Sequence, residues 1–129
     1  TLTDRGIGQS GGVAIGGGPM WGFTQKEAIA LYQQDPDTQL IVLLGEIGGG
    51  SEEAAAAYIR DHVTKPVVSL IVGRNAPTGK SVGHAGAIVS GNVGTAATKI
   101  AALQSAGVHI VTSPTQLAEQ VRLLLNKEG

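Results

Sequence analysis

Two residues stand out as able to do chemistry together. His84 lies in the run Gly79-Lys80-Ser81-Val82-Gly83-His84-Ala85-Gly86-Ala87-Ile88. No large neighbour shields its ring, and an accessible imidazole of near-neutral pKa can act as nucleophile or proton carrier. The plainer reading is a loop histidine in a glycine-rich turn. Glu46 lies in Gly45-Glu46-Ile47-Gly48-Gly49-Gly50-Ser51, between an apolar run and a helix start. A helix amino terminus offers N–H groups and a positive dipole that favour an anion. Glu52 and Glu53 count against an anion directly over that turn, and a simple strand-to-helix glycine turn is the competing reading. If both residues follow adjacent strands, they share one edge of a sheet. A carboxylate that accepts a bond from one ring nitrogen fixes the tautomer and leaves the other nitrogen free to attack. A phosphoryl group is then the natural electrophile. No second histidine or acid shares the His84 loop, so a metal site is not expected there. His62, in the last turn of a helix, suits the helix dipole. His109 is expected to pack on one face of a strand.

The elements that must position these groups alternate. Gly12 to Ile15 reads as a short strand. Thr24 reads as an N-cap, with Glu27 completing a capping box, and the helix ends before Asp35-Pro36. Leu40 to Leu44 reads as a strand buried on both faces. Ser51 reads as the cap of the next helix, whose first turn carries Glu52 and Glu53. Val67 to Val72 is another buried strand. A helix from about Thr95 runs through Lys99, Ile100 and Leu103 and closes at Gly107. Val108 to Val111 is a strand, and Ser113 caps a last helix with Pro114 at its first position. Such alternation means a mostly parallel α/β sheet with helices on both faces. The expected organisation is one domain over residues 1–129.

Two familiar glycine patterns do not fit their contexts. Gly6-Ile7-Gly8-Gln9-Ser10-Gly11 precedes a strand, whereas the dinucleotide fingerprint follows one. Gly73 to Ser81 has five residues between its glycines where a phosphate-binding P-loop has four, and Gly83 and Gly86 break any helix after Lys80.

Composition limits the function classes. The chain has 129 residues, with 42% hydrophobic and 15% charged, which suits a globular domain with a real core. Aromatics are only 3%, so Ala, Val, Ile and Leu must build that core. The 20 glycines cluster at 6–18, 45–50 and 79–94, which marks tight loops. A formal net charge of -1 gives no electrostatic case for nucleic acid. The absence of cysteine excludes disulfides and thiolate metal sites. No apolar run approaches a membrane span. The opening Thr1-Leu2-Thr3-Asp4 suggests a piece of a longer chain.

Taken in order, Gly45-Glu46-Ile47-Gly48-Gly49, Lys65-Pro66-Val67-Val68, Ala76-Pro77-Thr78-Gly79-Lys80 and Gly83-His84-Ala85-Gly86-Ala87-Ile88 resemble the C-terminal ligase domain of succinyl-CoA synthetase alpha subunits. Gly8-Gln9-Ser10, Ile15-Gly16-Gly17 and Asp35-Pro36 fit as well, so the resemblance spans nearly the whole chain. The separation of Glu46 from His84 (84 − 46 = 38) also fits. The resemblance implies that His84 is the phosphorylated histidine and that Glu46 contacts and orients it. The expected phosphate loop is Gly48 and Gly49 together with Gly83 and Gly86, the last two flanking the histidine. It implies a nucleoside-diphosphate-forming acid–thiol ligase of the tricarboxylic acid cycle, with succinate as the default acid. Malate, acetate or citrate ligases share the architecture. A non-catalytic flavodoxin-like interaction module is the alternative from another class.

The implied fold is a flavodoxin-like three-layer sandwich. Its first strand and first helix should precede Gly6 and are expected to be missing from this chain, as is the CoA-binding domain. The isolated chain should therefore bind no cofactor and be inactive. CoA, ATP or GTP and Mg2+ belong to the full complex with a beta subunit. The resemblance implies a cytoplasmic or mitochondrial-matrix location, no nucleic acid and no membrane. One departure is Gly18, which stands where family members carry Asp after the Gly-Gly pair.

Overall fold

A computed structural model describes residues 2–13, 24–46, 48, 50–72, 81–82, 84–88 and 95–127, with the backbone alone for 81–82 and 84–88. After a 3-10 turn at Thr3–Arg5 come α1 (Gln25–Gln34), β1 (Ile41–Glu46), α2 (Ser51–His62) and β2 (Val67–Val72). They are followed by β3 (Ser81–Val82), β4 (His84–Ile88), α3 (Ala96–Ser105), β5 (His109–Val111) and α4 (Pro114–Lys127). Strands β1, β2 and β5 form a parallel sheet in the order β1-β2-β5, and β3 pairs with β4 as a separate antiparallel ribbon. Parallel neighbours require crossovers, and the helices supply them.

The sheet separates two cores. On one face Ile41, Leu43, Val67 and Ile71 pack with Ile29 of α1, Ala55, Ala56 and Ile59 of α2, and Leu103 of α3. On the other, Val68, Leu70 and Val111 pack with Leu117 and Val121 of α4, and Leu2 and Ile7 lean on the same cluster. The described elements are thus the three layers of an α/β sandwich, helices on sheet on helix. Period-two alternation decides the assignment: Ile41, Leu43 and Gly45 face the α1–α3 layer, and Val42, Leu44 and Glu46 the opposite one.

Local chemistry explains most boundaries. Thr24 Oγ1 accepts the Glu27 N–H at 3.2 Å while Glu27 Oε2 accepts the Thr24 N–H at 2.8 Å, a reciprocal capping box. At the other end of α1, Lys65 Nζ donates to the carbonyls of Tyr32 and Asp35 at 2.7 and 2.6 Å, a cation on the helix's unsatisfied C-terminal groups. Thr95 caps α3 by accepting the Thr98 N–H at 3.1 Å, and Gly107 leaves it with a φ of 83°. Ser113 Oγ accepts the Gln116 N–H at 3.2 Å ahead of Pro114.

Several expectations need correction. The N-cap of α2 is Gly50, which has no side chain to offer; Ser51 is the first helical residue. Strand β1 is not buried on both faces. Leu44 is 63% exposed, and Val72 at the end of β2 is 53% exposed. Among the described residues β1 has a strand partner on one side only, and α4 covers β2 and β5, so nothing described roofs Leu44. His109 opens β5 but is exposed rather than packed. Gly12 and Val13 carry no strand, and Ala14 and Ile15 lie outside the described residues. His84 is not in a loop: it begins β4, in antiparallel register with Val82 of β3, with a register shift between Ser81 and Val82.

Candidate functional site

The carboxyl ends of parallel strands are where open α/β sheets place their chemistry. Glu46 is the last residue of β1 and stands in register with Val72, the last of β2. The chain turns at once into α2. Gly48, buried in this turn, has a φ of 93°, the left-handed region that a side chain would strain. Because Gly50 caps α2 without a side chain, no cap oxygen is spent on the first N–H groups of the helix.

Beneath the turn lies a buried charge cluster. Glu52 is 2% exposed and Lys99 0% exposed. Lys99 Nζ donates to Glu52 Oε2, and reaches Glu53 Oε2 at 3.4 Å. Glu52 Oε1 accepts the backbone N–H of Glu46 at 3.1 Å and Gln25 Nε2 at 3.2 Å. Thr98 Oγ1 lies 3.4 Å from Glu53 Oε1. One carboxylate therefore ties the end of β1 to α1, α2 and α3. Gly45 completes the fit. A Cβ there would lie 2.6 Å from Ile71 Cδ1 and 2.9 Å from Glu52 Oε1, so only glycine lets the carboxylate lie against the strand.

This cluster changes the electrostatics inferred from sequence. Glu52 does not project over the turn as a free negative charge. It is turned inward and paired with an ammonium, which removes much of the repulsion it would exert on an anion at the start of α2. Sequence reasoning missed Lys99 altogether, although a signal was available. Lys99 lies with Ala96, Ile100 and Leu103 on one face of α3, and Glu52 with Ala55, Ala56 and Ile59 on one face of α2. Each charge sits within an apolar stripe at helical spacing, and buried charges need each other.

Of the expected site residues, Glu46 and Gly48 are at the β1–α2 junction, and Gly86 lies in β4 with His84. The side chain of His84, and Gly49 and Gly83 entirely, lie outside the described residues, and the Glu46–His84 separation with them. His62 stands exposed at the end of α2, its ring 4.9 Å from that of Tyr58. Among the described residues no three His, Cys, Asp or Glu side chains gather as a metal-binding group, and no helix is long and apolar enough to cross a membrane.

Comparison with known proteins gives this geometry a lineage. The CoA-ligase family profile matches residues 1–121. The chain belongs to the CoA-ligase family. It is 47% identical over 124 residues to the succinate–CoA ligase [ADP-forming] alpha subunit of Aquifex aeolicus, covering 96% of this chain and 41% of that protein. The alpha 1 subunit of Archaeoglobus fulgidus is likewise 47% identical over 124 residues, with 42% of its length covered. The Staphylococcus aureus alpha subunit is 47% identical over 116 residues, 90% of this chain and 38% of that one. This CoA-ligase chain thus spans about two fifths of the length of its relatives. Among solved structures, a Methanosaeta concilii ATP citrate lyase in complex with (3S)-citryl-CoA aligns with a TM-score of 0.74 at 28% identity, over 81% of this chain and 18% of that one. ATP citrate lyase from Methanothrix soehngenii, in complex with citrate and coenzyme A, aligns equally well. The three-layer sandwich is therefore the CoA-ligase fold, consistent with the flavodoxin-like layering expected from the motifs.

Proposed function

We propose that this chain is the phosphohistidine-carrying domain of a nucleoside-diphosphate-forming acyl-CoA ligase, with succinate as its acid. The observation that carries the reading is the 47% identity to succinate–CoA ligase alpha subunits over 96% of the chain, in a molecule that holds Glu46 at the carboxyl end of β1. Succinate is preferred to citrate because the identity to the citrate lyases is 28%.

In this reading an imidazole nitrogen of His84 attacks the phosphorus of an acyl phosphate. A P–N bond forms as the P–O bond to the acyl group breaks, and the carboxylate leaves. The phosphoryl group then passes to a nucleoside diphosphate, restoring the imidazole. Glu46 accepts a hydrogen bond from the other ring nitrogen, holds the tautomer and favours the positive charge that develops on the ring. Glycines at positions 48, 49, 83 and 86 carry no side chain to crowd the phosphoryl oxygens. The uncapped N–H groups of α2 suit such an anion, since Lys99 neutralises Glu52 beneath them. Mg2+ and nucleotide are assigned to a beta subunit, as the likeness to alpha subunits of succinate–CoA ligases implies. CoA is assigned to a further domain of the longer alpha subunit, and the complete enzyme to the cytoplasm.

The test is labelling of the assembled enzyme with γ-labelled ATP. Acid-labile, base-stable phosphate should appear in the wild type and be absent from His84→Asn. Glu46→Gln should slow labelling by about 10²-fold, the scale of a lost acid–base partner. Undiminished labelling of His84→Asn would overturn the assignment.

A further inference from the structure

Glu46 can orient a histidine only if its own backbone is fixed, and the turn that follows it is rich in glycine, which fixes nothing by itself. Beyond its pairing with β2, the end of β1 is held by Glu52. Its Oε1 accepts the Glu46 N–H at 3.1 Å, and its Oε2 is gripped by Lys99. Gln25 adds a second donor to Oε1 at 3.2 Å. Donors therefore stand on both sides of one carboxylate, and a carboxylate is the group that accepts on both sides. Gly45 is shaped to admit it. Ion pairs this deeply buried are seldom the most stable filling for a core, since well-packed apolar residues of similar volume do as well. A buried charge at this position, bonded to the backbone of the residue that is to touch the histidine, calls for a reason other than stability.

We propose that Glu52, held in place by Lys99, is a positioning residue that sets the backbone of Glu46 for phosphoryl transfer. The inference rests on the role given to Glu46 above and extends it to a residue that does not touch substrate. Glu52 works through the N–H of Glu46, and Lys99 works through Glu52 by cancelling its charge and fixing its rotamer.

Two charge-neutral double variants of the assembled enzyme separate this from a merely structural role. Glu52→Gln with Lys99→Met keeps one acceptor, which can turn towards the Glu46 N–H now that no ammonium competes for it. Glu52→Leu with Lys99→Met removes the acceptor. Both avoid a lone buried charge, so both should assemble. Single-turnover phosphorylation with ATP should stay within about threefold of wild type in the first. It should fall by about 10- to 10²-fold in the second, as expected when a supporting contact or geometry is lost. The KM for CoA should be unchanged in both. Val121→Ala, in the core on the far side of the sheet, serves as a control for lost stability and should leave the rate unchanged.

Equal rates in the two double variants would overturn the proposal, as would equal slowing by Val121→Ala. Glu46→Gln measured alongside tells the two levels apart. If it is slow while the double variants are equal, Glu52 alone has been misassigned. If it is fast, the role of Glu46 fails and the positioning role falls with it.

Discussion

Removing the ammonium of Lys99 alone should be the most damaging single change in the described core. Lys99→Met leaves the Glu52 carboxylate 2% exposed, with Oε2 deprived of its cation. Breaking a buried pair from one side typically costs about 3–5 kcal/mol, because the remaining charge is buried without compensation. A domain of this size has a total stability of about 5–15 kcal/mol. The variant should therefore lose about a fifth or more of its stability and melt roughly 10–20 °C lower. The loss should not be additive. Adding Glu52→Gln removes the orphaned charge, so the double variant should recover to within about 1–2 kcal/mol of wild type, and the cycle should show a coupling of about 3 kcal/mol or more. Glu53 softens the effect little, since its carboxylate is a third exposed and stays hydrated in either variant. Urea titration at one fixed protein concentration supplies all four corners of the cycle. Additive losses, or a single variant within about 1 kcal/mol of wild type, would show that Lys99 and Glu52 are not the mutually dependent buried pair described here.

Other consequences follow from single contacts. Gly45→Ala should destabilise by about 1–3 kcal/mol, the usual cost of overpacking, and calorimetry should detect it. The Cβ would meet Ile71 and Glu52 at 2.6 and 2.9 Å. Asp35 has its pKa lowered by the Thr38 hydroxyl bond first, then by the Asp37 N–H and by Lys65. Since its folded value is depressed, its contribution is present above the unfolded value near 3.9 and is lost as pH falls through the folded one. Asp35→Asn should thus lower the melting temperature at pH 7, and the gap to wild type should close below about pH 4. A gap independent of pH would refute the charge argument.

The elements were legible wherever a local rule acts. Thr24 with Glu27, Thr95 ahead of α3, and Ser113 with Pro114 all form the caps that their spacing implies. Strand β2 is buried from Val67 to Ile71, as its unbroken apolar run requires. The failures share a cause. Leu44 reads as core in isolation, but burial depends on which element covers that strand, and sequence spacing does not report it. Ser51 has the chemistry of a cap, yet the turn is long enough that Gly50 takes the place. His84 sits among residues too small to show an alternating pattern, so the start of β4 reads as loop. Glu52 reads as a charge over the turn and Lys99 draws no notice, because each is judged by residue type; their place within an apolar helical stripe carries the opposite message. For the site, the junction at Glu46 was legible from a strand run followed by a glycine turn and helix. Its support was not, because Glu52 is turned inward by partners 27 and 47 positions away, Gln25 and Lys99, before it meets Glu46.

The central claim is that His84 carries the phosphoryl group, and the sequence itself offers a clean way to locate the label. Cleavage after Lys80 and Lys99 releases Ser81 to Lys99, a peptide in which His84 is the sole histidine, while His62 and His109 fall in other peptides. The assembled enzyme should be labelled with γ-labelled ATP, digested at mildly alkaline pH and mapped by mass spectrometry. A phosphate that acid removes and base leaves should appear on the Ser81 to Lys99 peptide. Label confined to a peptide carrying His62 or His109, or bound as an acid-stable ester to a serine or threonine, would contradict it.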